Sequence, residues 1–411
     1  MKHVAIIGAG IIGVTSAWVL RQQGHKVTIF DKNRYPAMET SFANGGQLSA
    51  SNAEVWTNFG TIAKGMRWLF RKDAPLLMNL SPSWHKYSWL GEFMTNCTHY
   101  EQNTIQTAKM AIESRKYMEE FAQSAGIEFD RLNCGILHVY KNEKEFTHAH
   151  KVNDMLSKAG LKRRRLTPDE VYQIEPTLRA RLIGGYYTES DFTGDIHKFT
   201  TQLAKRAAEE GVQFVMYADV HDIQHDGTRP AVFWKDFAGQ AFDQTFDAIV
   251  VCAGVASRQF AHQLGDRVNI YPVKGYSITI DLDDENSRHA APHASILDDQ
   301  AKIVTSRLGE GRFRVAGTAE FNGINTDIRA DRIAPLTRWV ETFFPDIPTE
   351  YVVPWAGLRP MLPSMMPKIG AGSKPGVFYN TGHGHLGWTL SCLSAHMLGD
   401  IVTAKNNQLA S

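Results

Sequence analysis

Residues 4–32, VAIIGAGIIGVTSAWVLRQQGHKVTIFDK, constrain the fold more than any other stretch of the chain. A short apolar run ends at three glycines in G-x-G-x-x-G spacing: Gly8, Gly10 and Gly13. An apolar pattern of helical period follows and stops at Gly24, and a second apolar run then ends on Asp31. This order predicts a strand, a tight turn, a helix and a second strand, the unit that binds a dinucleotide in Rossmann-like folds.

The same stretch has a second interpretation as an export or membrane segment, because residues 4–20 carry no charge and follow Lys2. The internal glycine spacing and the acidic residue that follows the second strand argue against it. Asp31 can accept hydrogen bonds from ribose hydroxyls, which disfavours NADP. It serves the riboses of NAD and FAD equally, so the motif alone leaves these two cofactors open.

Composition excludes several classes of function. At 411 residues the chain can hold two domains, and its 44 basic and 43 acidic side chains argue against a nucleic-acid partner. The four cysteines lie far apart and fit no zinc spacing: Cys97, Cys134, Cys252 and Cys392. We therefore expect free thiols in a reducing, cytoplasmic compartment, and no metal site.

The segment after Asp31, KNRYPAMETSFANGGQLSAS, is rich in serine, asparagine and glycine. It predicts a loop rather than the next βα unit of a nicotinamide-binding domain. Such a loop suits an extended flavin, which needs backbone contacts beyond the glycine turn; a long surface loop is the alternative.

Further along, hydrophobic periodicity predicts helices in NTIQTAKMAIESRKYMEEFAQSAG and IHKFTTQLAKRAAEEG, and strands in GILHVY, VQFVMYADV and FDAIVVCAG. YPVKGYSITI and GRFRVAGTAEF alternate polar and apolar residues, which suits a separate, largely antiparallel sheet. VFYNTGHGHLGWTLSCLSAHMLGDIV predicts a strand, a glycine-rich turn and a helix whose N-terminus can face an anionic group.

Segment 64–90 mixes aromatic with basic residues: Trp68, Trp84, Tyr87 and Trp89 among Lys64, Arg67, Arg71, Lys72 and Lys86. Such a mixture is typical of an aromatic-rich domain interface, which we favour, or of a patch that contacts a membrane surface.

The whole chain resembles the small-subunit type of D-amino acid dehydrogenase, within the FAD-dependent D-amino acid oxidase/glycine oxidase superfamily. The matching pieces run in order along the sequence: IIGAGIIGVTSAWVL, METSFANGGQLS, APLLMNLSPSWHKYSWL, DFTGD, YPVKGYSITI, RFRVAGTAEF, WAGLRPMLP and NTGHGHLGWT. The resemblance implies an α/β protein with a Rossmann-like FAD-binding domain interleaved with an α+β substrate domain that contains a mainly antiparallel sheet. The implied ranges are 1–56, 195–272 and 350–411 for the first domain, and 57–194 and 273–349 for the second.

The resemblance also implies noncovalent FAD, because the cysteine that attaches flavin in the sarcosine-oxidase branch has no counterpart here. It assigns the pyrophosphate to Gly8, Gly10, Ile12 and Gly13, and the adenosine ribose to Asp31 with Lys32 beside it. The loop that wraps the cofactor is carried over as Thr40, Ser41, Asn44, Gly45, Gly46, Gln47 and Leu48. Further contacts are implied at Val220, Ala253 and Gly254, and at the flavin ring from Gly384, His385, Leu386, Gly387, Trp388 and Thr389.

At the substrate end, the resemblance implies that Arg359 holds the substrate carboxylate, with Tyr276 as a pocket wall or second carboxylate contact. The implied reaction is oxidative deamination of a D-amino acid: hydride passes from Cα to flavin N5, and the imine hydrolyses to a 2-oxo acid and ammonia. His383 and His385 are interpreted as structural rather than as general bases. The family commonly reads RPMTPDG where this chain has RPMLPSMM, which leaves the substrate side chain open.

Electrons are then expected to pass to a quinone or another carrier, with segment 64–90 as the place of peripheral contact with the inner face of the cell membrane. Three alternatives stay open: a D-hydroxyproline or D-proline dehydrogenase, a glycine- or sarcosine-type oxidase that makes hydrogen peroxide, and a non-catalytic flavin-binding interaction subunit.

Overall fold

The computed structural model describes residues 1–68 and 75–407. Its strands are β1 (His3–Ile7), β2 (Lys26–Phe30), β3 (Gln47–Leu48), β4 (Leu76–Met78), β5 (Ile136–Tyr140), β6 (Arg164–Leu166), β7 (Gly184–Thr188), β8 (Phe192–Thr193), β9 (Gln213–Val215), β10 (Asp219–His225), β11 (Pro230–Lys235), β12 (Ala241–Thr245), β13 (Ala248–Val251), β14 (Tyr271–Asp281), β15 (Ser295–Asp298), β16 (Ile303–Leu308), β17 (Arg312–Phe321), β18 (Val353–Met361), β19 (Lys368–Ala371) and β20 (Val377–Thr381).

The helices are α1 (Ile11–Gln22), α2 (Phe59–Trp68), α3 (Trp84–Thr95), α4 (Tyr100–Ala125), α5 (Glu143–Lys158), α6 (Pro168–Ile174), α7 (Ile196–Glu209), α8 (Ser257–Gln263), α9 (Glu285–Ala290), α10 (Ala330–Phe343) and α11 (Gly387–Asn407). Among them, none combines the length and the apolar character needed to cross a membrane.

The described residues form a six-stranded sheet in the order β19-β20-β13-β1-β2-β9, and its strands are parallel except for β19. Residues 4–7 of β1 are buried, as expected for a parallel strand covered on both faces. Val4 and Ile6 join the core formed with α1, α7 and α11, whereas Ala5 and Ile7 join the core on the opposite face. The carboxyl ends of β1, β2, β13 and β20 therefore meet at one edge, where doubly wound folds bind ligands.

A nine-stranded sheet has the path β18-β14-β17-β16-β15-β5-β7-β6, with β4 paired to β17. Most of its neighbours are antiparallel; β15 with β5 and β17 with β4 are parallel. β10, β11 and β12 form a separate antiparallel sheet. The α/β class with a mainly antiparallel second sheet is thus confirmed.

The domain ranges stay a prediction. The strand pairing agrees with them in one region and crosses them in another. β13 and β20 lie in ranges assigned to the first domain and pair in the parallel sheet. β18 also lies in such a range, 350–411, but it pairs with β14 in the nine-stranded sheet. The chain between 350 and 411 therefore serves both sheets, and the site lies where they meet.

Candidate active site

A cavity of about 980 Å³ lies between the carboxyl edge of the parallel sheet and the nine-stranded sheet. Its wall includes every residue that the sequence predicted for the site except two, Gly13 and Leu48. Gly13 lies in α1 and Leu48 in the core around that helix. The structure therefore gathers segments 8–48, 220, 253–254, 276, 359 and 384–389 around one space.

The first and third glycines of the motif, Gly8 and Gly13, are required for different physical reasons. Gly8 has φ +107°, and a β-carbon there would lie 2.7 Å from the carbonyl oxygen of Cys252. A β-carbon on Gly13 would lie 1.9 Å from the carbonyl oxygen of Gly8, so glycine alone lets α1 pack this close to β1. Because α1 begins at Ile11, the N–H groups of its first turn lack helical acceptors and point towards the cavity end of the helix.

Asp31 follows β2 and fixes the turn from the other side. Its Oδ2 accepts the N–H of Ala9 at 2.7 Å, and its Oδ1 accepts the N–H and the side chain of Asn33 at 2.8 and 2.9 Å. Lys32, beside it, forms an exposed ion pair with Glu39 at 3.0 Å. These hydrogen bonds fix the orientation of the Asp31 carboxylate in the cavity wall.

The loop between β2 and β3 crosses from one sheet to the other. Ser41 accepts the N–H of Ile11 at 3.0 Å, and Thr40 donates to the carbonyl of Leu358 at 2.9 Å. Gly45 packs against Val304: a β-carbon there would lie 2.5 Å from its methyl group. The remaining members also have fixed contacts: Asn44 with the N–H of Gly46, Gln47 with Ser295, and Leu48 in the core paired with Phe192.

The turn after β20 brings the N-terminus of α11 to the cavity. His385 donates from Nε2 to the carbonyl of Asn52 at 3.2 Å and stacks on Trp56, with ring centroids 5.0 Å apart. Burial lowers the pKa of His385 to about 4 and that of His383 to about 3. Both imidazoles are therefore neutral near pH 7, and neither adds positive charge to the wall.

Arg359 lies on β18 with its guanidinium in the cavity wall. Its Nη1 donates to the carbonyl of Thr318 at 3.1 Å, and within residues 1–68 and 75–407 no salt bridge joins it to a carboxylate. Burial lowers its pKa to about 10, which leaves it charged at neutral pH. An arginine in the cavity wall without a carboxylate partner is a ready site for an anionic ligand.

Tyr276 lies in the cavity wall, as one of its two predicted roles requires, but its hydroxyl does not point to Arg359. Its side chain is buried and its hydroxyl donates to Glu320 at 2.6 Å, within a cluster that includes Lys274. The guanidinium of Arg359 instead lies over Gly275, the neighbour of Tyr276 on β14. Neighbouring residues on a strand point to opposite faces, which separates the two side chains.

The cavity wall also contains titratable groups that the sequence analysis did not single out: Glu54, His138, Asp299 and Lys302. Glu54 Oε1 accepts from Tyr100 at 2.6 Å and from His148 at 3.1 Å. His138 lies in the apolar strand GILHVY. A polar histidine at a buried position of this strand was the one feature of the sequence that could have indicated a functional role. Its partner Asp299 lies 161 residues away, which no local pattern can indicate.

Comparison with known proteins agrees with this architecture. A family model described as FAD dependent oxidoreductase matches residues 3–401. The chain belongs to this family of FAD-dependent oxidoreductases. FAD is therefore its cofactor, and redox chemistry is its class of activity.

Two curated relatives match over nearly their whole length. The chain is 56% identical to D-amino acid dehydrogenase 3 of Mesorhizobium japonicum, covering 98% of this chain and 97% of that protein. It is 40% identical to the D-amino acid dehydrogenase of Paramagnetospirillum magneticum, covering 99% and 96%. The solved structure of glycine oxidase from Geobacillus kaustophilus has the same fold, with a TM-score of 0.77, 21% identity and coverage of 98% and 95%.

The residues present fit FAD. Gly8, Gly10 and Ile12 line the cavity at the start of α1, where the N–H groups of the first helical turn can meet a phosphate. Buried polar atoms without a protein partner also occur in the wall, at Gln47 Oε1 and Trp388 Nε1. Such atoms are costly to leave unsatisfied, so a polar ligand beside them is favoured.

Proposed function

We propose that this oxidoreductase is a dehydrogenase that removes two electrons from the Cα–N bond of D-amino acids, yielding a 2-oxo acid and ammonia after hydrolysis of the imine. Arg359 carries the proposal, because this cation, which pairs with no carboxylate among the described residues, lies in the same cavity as the dinucleotide turn. The names of the two relatives, at 56% and 40% identity, support the substrate class.

We assign the cofactor contacts as the sequence predicted them. Gly8, Gly10 and Ile12, with Gly13 behind them, hold the pyrophosphate at the start of α1, where the helix dipole favours negative charge. Asp31 holds the adenosine ribose, Val220 lies on the adenine side, and Ala253 and Gly254 pass close to the cofactor. The loop 40–48 wraps the cofactor with its last residues beside the flavin ring. Residues 384–389, which lead into α11, face the same ring, and FAD is held noncovalently.

Bound FAD supplies a two-electron acceptor. Arg359 grips the substrate carboxylate through its planar guanidinium and so fixes the orientation of Cα. The N-terminus of α11 contributes partial positive charge, which stabilises negative charge that develops nearby. The buried, neutral imidazoles of His383 and His385 keep this part of the wall free of competing charge.

Anaerobic mixing of the holoenzyme with D-amino acids tests the proposal through loss of flavin absorbance. L-enantiomers serve as the matched control, and glycine, sarcosine, D-proline and D-hydroxyproline cover the alternatives. Bleaching by D-amino acids alone is the expected result. Bleaching by none of the compounds would reject an amine substrate and favour the non-catalytic alternative. Rapid recovery in air would favour an oxidase.

For the electron acceptor we propose a quinone, reached by peripheral contact of segment 64–90 with a membrane surface. Within this segment Trp84 is 83% exposed and Leu80 70%, whereas Trp89 is buried. Residues 69–74, with Arg71 and Lys72, and the side chains of Lys64, Arg67 and Trp68 lie outside the described residues. Exposed tryptophan and leucine side chains are typical of a surface that inserts at the lipid interface.

Co-sedimentation with vesicles of anionic phospholipid tests this contact. Trp84→Ser should lower the bound fraction, and Phe237→Ser is the matched control because Phe237 is 86% exposed on the hairpin between β11 and β12. Equal binding of both variants and the wild type would contradict the docking surface. Faster reoxidation by a water-soluble quinone than by oxygen would support the acceptor.

A further inference from the structure

A row of hydrogen-bonded side chains runs along the cavity wall, outside the cofactor and carboxylate contacts assigned above. Ser49 Oγ lies 3.0 Å from Ser51 Oγ, and Ser51 Oγ lies 2.9 Å from His138 Nε2. His138 Nδ1 lies 3.2 Å from Asp299 Oδ2, and Asp299 Oδ1 lies 3.6 Å from the ammonium of Lys302. All five residues line the cavity.

Exposure rises from one end of this row to the other. Ser49 and Ser51 are 2% exposed and His138 is 3% exposed. The side chain of Asp299 is 23% exposed and that of Lys302 is 44% exposed. The exposed fraction of the side chain therefore increases along the row, from the two serines to Lys302.

The inner end adjoins the proposed flavin contacts. The N–H of Ser49 donates to Thr389 Oγ1 at 3.2 Å, and Thr389 lies in the first turn of α11. The loop that holds both serines is fixed by Asp191, which accepts the N–H groups of Ala50 and Ser51 at 3.0 and 2.9 Å. Arg115 pairs with Asp191 at 2.6 Å, so the serines have a set position.

The surroundings of His138 keep its imidazole neutral, with one ring nitrogen able to accept a proton. Burial and the nearby Arg163 lower its pKa, while Asp299 and Asp191 act in the opposite direction. At neutral pH the imidazole is uncharged. Nδ1–H then donates to Asp299, which also accepts from Tyr140 at 2.8 Å, and the Nε2 lone pair faces the hydroxyl of Ser51.

We propose that Ser51, His138 and Asp299 form a proton relay that carries the ammonium proton of the substrate from the cavity to solvent. The inference rests on the proposed function. The substrate must lose one N–H proton before its nitrogen lone pair can form the C=N bond, as the Cα–H bond breaks and its electron pair leaves to the bound cofactor. Ser51 Oγ takes up the released proton while its own hydrogen passes to His138 Nε2. Asp299 stabilises the imidazolium, whose Nδ1 proton then leaves past Asp299 and Lys302 to water.

Two variants of the holoenzyme, His138→Gln and Ser51→Ala, test the relay. His150→Gln is the matched control, since His150 bonds Tyr186 at 2.6 Å and is outside the cavity wall. Anaerobic single-turnover mixing with a D-amino acid follows flavin bleaching and, with a pH-indicator dye in weak buffer, the release of protons. Each variant is measured at neutral pH and at high pH, where solvent has already removed the ammonium proton.

In the wild type and in His150→Gln, proton release should keep pace with bleaching. In both relay variants, bleaching at neutral pH should slow by about tenfold or more, proton release should lag, and high pH should restore the rate. Bleaching rates of the relay variants that match the wild type, or that fall equally at both pH values, would reject the relay. Bleaching of the wild type in the same experiment would still support the proposed function. If His138→Gln does not retain FAD, Ser51→Ala alone decides. Absence of bleaching in the wild type would overturn the proposed function and the relay with it.

Discussion

The guanidinium of Arg359 lies over the α-carbon of Gly275: a β-carbon added to Gly275 would lie 2.3 Å from Arg359 Nη1. The two residues belong to the neighbouring strands β18 and β14, where Val273 is the direct partner of Arg359. The position of the proposed carboxylate anchor thus depends on a missing side chain on the next strand.

Gly275→Ala should therefore displace Arg359 without unfolding the protein, because the displaced group is the end of a flexible side chain. We expect half-saturation by a D-amino acid to rise about tenfold, which corresponds to about 1.4 kcal/mol, while FAD remains bound. Titration of flavin bleaching measures this. Gly91→Ala is the matched control, since a β-carbon at Gly91 on α3 meets nothing within 4 Å. Unchanged substrate affinity in Gly275→Ala would contradict the coupling.

Arg359→Ala should weaken the substrate far more, because it removes the cation itself. Truncation of one partner of a buried charge pair costs about 2–5 kcal/mol, or roughly 30-fold to several thousandfold in affinity. Arg338→Ala, on the exposed face of α10, is the control for loss of an arginine. Retention of FAD with normal substrate affinity in Arg359→Ala would refute the carboxylate assignment.

Alanine substitutions at Gly13 and Gly10 should have different effects on stability and on FAD binding. Gly13→Ala places a β-carbon 1.9 Å from a backbone carbonyl, and such overpacking costs about 1–3 kcal/mol, occasionally more. Gly10→Ala meets only Ser41 Oγ at 3.5 Å, an ordinary contact. We expect a lower midpoint of thermal unfolding for Gly13→Ala, and near-normal stability with weaker FAD binding for Gly10→Ala. Similar losses of stability in both variants would contradict this division.

Stability should fall with acid in a window set by the buried histidines. Burial lowers the pKa of His385 to about 4, below the ordinary value of 6.5, so the folded chain binds fewer protons than the unfolded chain between these values. Above pH 6.5 the histidine is neutral in both states and costs no stability. As the pH falls from 6.5 towards 4, the unfolded chain takes up the proton first, and the unfolding free energy decreases.

His385→Gln should flatten the dependence of the unfolding free energy on pH by up to about 1.4 kcal/mol per unit. Denaturant titrations from pH 7 to 4.5 measure this. His289→Gln, on the exposed end of α9, should keep the wild-type slope, and an equal slope in His385→Gln would contradict the assignment.

The elements that the sequence predicted well are those encoded by neighbouring residues. The strand, glycine turn, helix and strand of residues 3–30 have the predicted order, because apolar periodicity and glycine spacing act locally. The predicted strand VQFVMYADV is divided into β9 and β10, since Tyr217 adopts φ +56° between them and turns the chain. A tyrosine in that conformation has no sequence signature.

The parts of the site that escaped prediction depend on residues brought together from distant positions. Tyr276 faces Glu320 rather than Arg359 because of the strand face on which it lies, and its acceptor is 44 residues away. The pairing of His138 with Asp299 likewise requires β5 to lie beside β15, a parallel neighbour from another part of the chain. Sequence patterns indicate which face of a strand is buried, but they do not indicate which residues of a distant segment will contact that face.

The parallel sheet has a consequence for the order of events during synthesis. β1 pairs with β13, β13 pairs with β20, and α1 packs against α11, which lies more than 360 residues after it in the sequence. The surroundings of the glycine turn at residue 8 are therefore incomplete until β20 and α11 have left the ribosome. We therefore expect cofactor capture to follow the synthesis of β20 and α11, and a nascent chain that ends before β20 to expose both the turn and the apolar surface of α1.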